Sequence, residues 1–379
     1  MMDSKNFNSR AKRITQFYFF AMLTVIIFKY FNEVFNGGNN WKTADWLVNY
    51  EQGLVRRGLF GQVVLNISDS HIWITWATFT FQILCYIFIY SYVLRIFFHL
   101  KRIREEFVLL LSPAYILFPL YDLKGGFRKE ILIFAIFIYL CHSLQVGYLS
   151  TKAQIFVMFA ISLSELSHEA IIFTTGFLIF LFWRMKELKT LSSLRFLIIV
   201  TYLVFSATII GIFSAVNSRL SPKFCALLQS EGFDKSMCTG AITALNTKLD
   251  LKYSFSRWHE FIPMYLALLI ISLVPVAYFS KYIIQHKLKL GVSVCIVIPL
   301  FVIALDWGRW IAILIFMLFS ILISDPEAKI NNKKKIPIFL WFLYLISWGV
   351  PHMGIEVGNI GGLAQLIVHL FAVKGHISA

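Results

Sequence analysis

The sequence predicts an all-α, polytopic membrane protein with about 12 transmembrane helices, and not fewer than about 10, several of them short and paired. Three observations predict it. The 379-residue chain is 58% hydrophobic, 17% aromatic and only 15% charged, with a mean hydropathy of +0.72. A soluble fold of that size cannot bury so much apolar surface. Apolar runs of membrane-spanning length recur along the chain and are continuous rather than alternating, which argues against a β-barrel. Lys and Arg sit in short loops between those runs, the bias of cytoplasmic loops. The formal net charge of +15 is therefore a topology signal, and no nucleic-acid partner is expected.

The elements follow in order. The first apolar run, Phe17 to Tyr30, lacks a small-residue cleavage site and reads as a retained helix. Lys5, Arg10, Lys12 and Arg13 precede it, so the N-terminus is expected in the cytoplasm. Asn36 to His71 is a first outer loop (36–71), and the run from Ile72 to Phe98 returns to Lys101, Arg102 and Arg104. Further basic loops hold Lys152; Arg184, Lys186, Lys189 and Arg195; Lys281, Lys287 and Lys289; and Lys329 with Lys333 to Lys335. Lys374 follows the last run. Going out and back between successive basic loops gives about twelve crossings with both termini inside. A long outer loop covers Asn217 to Glu260 (217–260), and residues 1–379 form a single transmembrane domain. Phe107 to Tyr121 and Ala153 to Ser164 fall short of a full span of about 20 residues, so these pairs are tilted or re-entrant.

Five knots of charge interrupt the apolar pattern: Tyr50 to Gly58, Tyr121 to Glu130, Ser164 to Glu169, Asp306 to Arg309 and Pro351 to Glu356. Charge at membrane depth or rim is costly, and it marks a functional site or a paired structural one. The topology places all five on the outer side. In YEQGLVRRG, Arg56 and Arg57 flank a turn beside Gly53 and Gly58 and suit the oxygens of a phosphate; the bland alternative is an interfacial helix touching lipid headgroups. Asp45 and Glu51 put carboxylates in the same loop, each a candidate general base. In YDLKGGFRKE, Arg128 and Lys129 are candidate phosphate ligands, against a plain Asp122–Arg128 salt bridge. In SELSHE, Glu165 and Glu169 are four apart, hence on one helical face, with His168 beside them as a candidate base; the alternative is a polar cluster bracing helices. Asp306 and Arg309 either pair with each other or free Arg309 for phosphate, with Trp307 or Trp310 stacking on a sugar. His352 with Glu356, and Arg257 in SRWHEF, complete the outer set.

Cys225 and Cys238 share the long outer loop, an oxidising location, so a disulfide between them is expected. No Cys/His spacing suits a metal.

The size, the helix count, the abundance of Phe and Ile and the outer Arg/His clusters resemble bacterial Wzy-type O-antigen or capsular polysaccharide polymerases. The RRGLFG segment, with RKE and HE further on, is similar to a stretch of membrane proteins encoded in polysaccharide gene clusters. The resemblance implies a membrane glycosyltransferase, independent of metal and nucleotide and without cofactor. It would polymerise undecaprenyl-pyrophosphate-linked oligosaccharide repeat units on the periplasmic side of the bacterial inner membrane. Arg56, Arg57, Arg128 and Arg309 would then hold pyrophosphate, and His168, Glu169 or His352 would be the base. The partners it implies are the lipid-linked oligosaccharide, membrane lipids and a chain-length regulator. Two alternatives stand beside it. One is a GT-C-like helical bundle using a polyprenyl-phosphate sugar, with its essential acid at Asp45 or Glu51. The other is a flippase or transporter of lipid-linked oligosaccharide, which would place polar residues at mid-span.

Overall fold

The protein is described by a computed structural model covering residues 4–68, 70–100, 103–217, 219–246, 251–330, 339, 343–345 and 347–353. Those residues form helices and connecting turns, with no strand among them. Helix α1 (Ser4–Phe35) leads into two short helices, α2 (Ala44–Leu47) and α3 (Leu59–Leu65), and then the long α4 (His71–His99). After α5 (Ile103–Leu110) and α6 (Phe118–Tyr121) come α7 (Ile131–Val146), α8 (Thr151–Ser167), α9 (Thr175–Glu187) and α10 (Ser193–Val216). The second loop holds α11 (Phe224–Ser230) and α12 (Ala241–Asn246). The chain continues through α13 (Leu251–Leu273), α14 (Ser280–Gln285), α15 (Lys287–Ile303) and α16 (Trp307–Ser324).

Five helical stretches among the described residues are long and apolar enough to cross a membrane: Lys12–Phe35, α4, α10, Phe255–Gln285 and α16. Helices α7, α8, α9 and α15, at 16, 17, 13 and 17 residues, are shorter. The last expected pair of crossings falls largely outside the described residues, as does Glu356.

The core is organised around α16. Its sequence, WGRWIAILIFMLFSILIS, is apolar on all sides, and every one of its residues is buried. A helix without a polar face belongs in the interior. Helices α4, α7, α13 and α15 pack around it. By contrast α1 and α10 turn Phe17, Phe28, Leu197 and Phe205 outward, as lipid-facing helices do.

Two expectations are corrected. The segment Phe107 to Tyr121 is no continuous short span. Helix α5 stops at Leu110, and residues 111–117 turn irregularly inside the protein before α6. Non-helical backbone at that depth needs polar partners. The Tyr90 hydroxyl supplies one by donating to the Ile116 carbonyl at 2.8 Å, and the Tyr115 and Ser320 hydroxyls meet at 3.0 Å. The long loop also ends before Glu260, because α13 already begins at Leu251. Arg257 pairs with Glu260 one turn on, at 2.8 Å, so the SRWHEF charges are carried on a helix surface rather than in a loop.

The two loops pack on each other. Leu47, Val48 and Val64 of the first meet Phe224, Leu228 and Met237 of the second in a small separate core. The Arg56 amide donates to the Asn217 carbonyl at 2.8 Å, and the Ala241 amide to that of Asn40 at 3.0 Å. Cys225 and Cys238 are bonded within the second loop.

A buried charge cluster lies at the C-terminal end of α16. Arg184, from α9, donates to Asp325 at 2.5 and 3.0 Å, to Glu187 at 2.5 Å and to Glu327 at 2.6 Å. The Tyr282 hydroxyl adds a bond to Asp325 at 2.7 Å. Asp325→Asn leaves Arg184 buried with only the partly exposed Glu187 and Glu327. Removing one partner of a buried pair costs about 3–5 kcal/mol. Thermal unfolding in detergent should therefore show a lowered Tm, and an unchanged Tm would refute the role given to this cluster.

Candidate functional site

The N-terminal end of α16 gathers four of the charge knots. The first comes from the turn before α3. Arg57 adopts a left-handed backbone (φ 67°), unusual for a side chain of its size. Lys129 holds that backbone by donating from Nζ to the Arg57 carbonyl at 2.8 Å. Gly61 permits the close turn, since a Cβ there would overlap the Val48 carbonyl. So fixed, Arg57 forks onto Glu169, with Nε to Oε2 and Nη2 to Oε1 both at 2.7 Å. Arg56 reaches the same Oε1 at 3.1 Å, and Arg57 Nη1 lies 3.4 Å from Asp45. The two arginines do converge on one anion, and it is the protein's own.

Glu169 can serve them because α8 ends at Ser167. His168 is extended (φ −158°, ψ 110°), and Glu169 opens a 3-10 turn. This overturns the expectation that Glu165 and Glu169 share a helical face. Glu165 stays on α8 and accepts from the Ser206 hydroxyl of α10 at 2.6 Å, in a chain continuing through Ser162 to Tyr202. The break also fixes His168. Its Nδ1 accepts from the Ala170 amide at 3.2 Å, so the neutral ring carries its proton on Nε2, 3.3 Å from Glu130 Oε1. Neither nitrogen of the neutral ring is free to take a proton in this arrangement.

Glu130 is the centre that the sequence reasoning missed. It receives Arg309, which also binds Asp306 at 2.6 Å. The signal was present: a carboxylate immediately before the apolar run of α7 needs a cation. His352 sits on the adjoining side. Its ring meets Asp122 at 2.7 Å, and its carbonyl accepts from Gly308 at 3.1 Å. Gly308 is required there, because a Cβ would overlap the Pro351 carbonyl. Asp122 is thereby taken, which removes the alternative of an Asp122–Arg128 bridge.

Five cations (Arg56, Arg57, Arg128, Lys129 and Arg309) thus meet four carboxylates (Asp45, Glu130, Glu169 and Asp306). Arg128 and Lys129 form no ion pair among the described residues. Arg128 is only 5% exposed and its Nε has no hydrogen-bond partner. Asp45 Oδ2 is likewise buried without a partner. Burial works to raise the Asp45 carboxyl, but Lys129, Arg128 and Arg57 outweigh it and hold the group below the usual carboxylate range. Burial lowers the Lys129 ammonium to about 8, against the pull of Asp45. A cavity of about 40 Å³, room for water, lies between Arg128, Glu130, Arg309 and apolar walls that include Tyr86 and Phe316.

Three predicted site residues stand apart. Glu51 is exposed in its turn. Arg257 is held by Glu260 on α13. Trp307 is 7% exposed, enclosed by Trp258, Phe261, Tyr265 and Phe301, and has no face open to a sugar. An apolar helix start among aromatic neighbours buries an indole more readily than it presents one.

Glu169→Gln removes the carboxylate shared by two arginines, with an expected loss of about 3–5 kcal/mol. Adding Arg57→Gln to it should cost less than the sum of the two single changes. Thermal unfolding of all three variants measures the coupling, and strict additivity would contradict a direct pair.

No known protein family, curated protein or solved structure matches this chain.

Proposed function

We propose that the chain is a membrane glycosyltransferase of the bacterial inner membrane. It crosses the bilayer about 10–12 times with both termini in the cytoplasm. It transfers a growing glycan from undecaprenyl pyrophosphate to a new lipid-linked repeat unit on the periplasmic side. One observation carries the reading: at one end of a wholly buried helix, five cations face four carboxylates, and the surplus sits on Arg128 and Lys129, buried without ion pairs among the described residues. A buried uncompensated charge is costly, so a site built this way favours an anionic occupant. A pyrophosphate supplies that charge in a form an arginine fork can bind.

In the reaction the acceptor hydroxyl attacks the anomeric carbon of the donor sugar. The bond from that carbon to the pyrophosphate oxygen breaks, and the pyrophosphate leaves as an anion held by Arg128, Lys129 and Arg56. The hydroxyl proton passes to the Asp45 carboxylate, whose Oδ2 has no partner among the described residues. Arg57, Glu169, Arg309 and Glu130 position these groups through the pairs they form with one another. When the anion arrives it draws Arg128 and Lys129 away from Asp45, raising the basicity of a carboxylate that the cations otherwise suppress.

A second reading has an observation of its own. Asp45 Oδ2, in the first loop, is buried without a partner. That suits an enzyme using a polyprenyl-phosphate sugar with an essential acid in this loop. That enzyme takes its sugar from a polyprenyl monophosphate, a donor the polymerase leaves untransferred, so transfer from such a donor by the purified chain distinguishes the two.

A strain lacking the gene should carry single repeat units on its surface, visible as collapsed lipopolysaccharide banding. Complementation with Arg128→Met should restore the ladder at least about 100-fold less efficiently than wild type, and with Arg257→Ala nearly in full. Accumulation of lipid-linked oligosaccharide on the inner leaflet would instead identify a flippase and overturn the proposal.

A further inference from the structure

Trp41 belongs to no expectation drawn from the sequence. It lies in the first loop and keeps 39% of its surface exposed, whereas Trp307 and Trp310 are buried. Its exposed ring is not loose. The Trp41 amide is anchored on Asn39 Oδ1 at 2.9 Å. The next-door Asn40 receives the Ala241 amide at 3.0 Å and binds Thr239 at 2.7 Å, both from the second loop. Gly240 abuts the indole edge: with φ 69°, a Cβ there would press on Asn40 and on the Trp41 Nε1. Behind the ring stands Arg128, its guanidinium carbon 5.1 Å from the ring centroid. That arginine is 5% exposed, with Nε unpartnered and no carboxylate within ion-pair distance among the described residues.

We propose that Trp41 and Arg128 form one subsite for a glycosyl pyrophosphate. Arg128 takes the phosphate oxygens, and Trp41 stacks on the sugar ring bonded to that phosphate. This deepens the proposed transferase reading and rests on it. Three physical points carry the assignment. A buried guanidinium without an acid favours an anion. A preorganised indole offers its face to the C–H side of a sugar at small entropic cost. The two groups are in contact, as a sugar and its anomeric phosphate are. Trp41 thereby fills the sugar-stacking role that the sequence assigned to Trp307.

The test compares two ligands on the purified full chain in lipid nanodiscs: a prenyl pyrophosphate, and the same prenyl pyrophosphate carrying one hexosamine. Wild type should bind the glycosylated ligand more tightly. Trp41→Ala should weaken it about tenfold, leave the bare pyrophosphate unchanged and keep the Tm; Trp41→Phe should retain most of the preference. Arg128→Met should weaken both ligands. Equal binding of both ligands by wild type overturns the subsite. So does an equal loss of both in Trp41→Ala, which makes the indole a mere prop for Arg128. No loss of either makes Trp41 an ordinary interfacial aromatic and also overturns it. Wild type binding neither ligand refutes the transferase reading itself, and the subsite falls with it.

Discussion

The ion pair between Arg309 and Glu130 is the interaction on which the rest of the structure depends. It closes one end of α16, whose residues are all buried. An apolar helix among apolar neighbours gains little from any particular depth or rotation, because one greasy face packs about as well as another. Buried charges remove that freedom, since an ion pair tolerates no slippage that would leave a charge unpaired. Arg309 fixes one end through Glu130 and Asp306. Asp325, just past the other end, fixes it through Arg184 and Tyr282. An 18-residue helix is about 27 Å long, so two small networks set the register of the whole core.

The same logic explains why the site sits where it does. Glu130 opens α7 and faces both Arg309 and His168, so the start of α7, the start of α16 and the break after α8 must meet at one point. Two of the three strained non-glycine residues among those described lie there. Arg57 and Phe127 are non-glycine residues in the left-handed region (φ 67° and 57°), and each such position costs on the order of 1 kcal/mol or more. The strain persists because the surroundings over-determine it. The Phe127 amide is held by the Tyr86 hydroxyl, its carbonyl accepts from Trp46 and Gln82, and its ring lies 4.2 Å from that of Tyr30. Phe127 immediately precedes Arg128. Backbone strain is thus tied to the direction of Arg128, the cation that pairs with no acid among the described residues.

The apolar, helical character of the fold was legible in composition and in the continuous apolar runs, and the charge knots were legible as interruptions of those runs. What could not be read was which charges pair. The sequence distance from Arg57 to Glu169, or from Arg184 to Asp325, carries no signal in a single chain. Arg184 looked like one more basic loop residue, because the bias that sets topology also hides a cation turned inward. The expected shared face of Glu165 and Glu169 failed for a local reason: the i, i+4 rule holds only while the helix continues, and α8 ends between them. Trp307 is buried, and Trp41 exposed, for a similar reason. Proximity to charge in sequence is a poor guide to exposure when a helix start is packed into an aromatic nest. Between α1 and α4, Gly, Asn and charge set residues 36–70 off from apolar runs on both sides.

The distribution of pairing, rather than the number of charges, separates scaffold from site. Arg57, Arg309 and Arg184 each hold at least two carboxylates, and such residues are spent on holding helices together. Among the described residues Arg128 and Lys129 hold none, yet both are buried. Desolvation without compensation is what a fold avoids unless something else supplies the compensation. Asp45, with one oxygen unpartnered, is the counterpart of that imbalance on the acidic side. In the proposed transferase, an incoming dianion satisfies Arg128 and Lys129 at once and releases Asp45 from their field. Binding and activation of the proposed acceptor are then a single electrostatic event, located where the scaffold has left its charges unmatched.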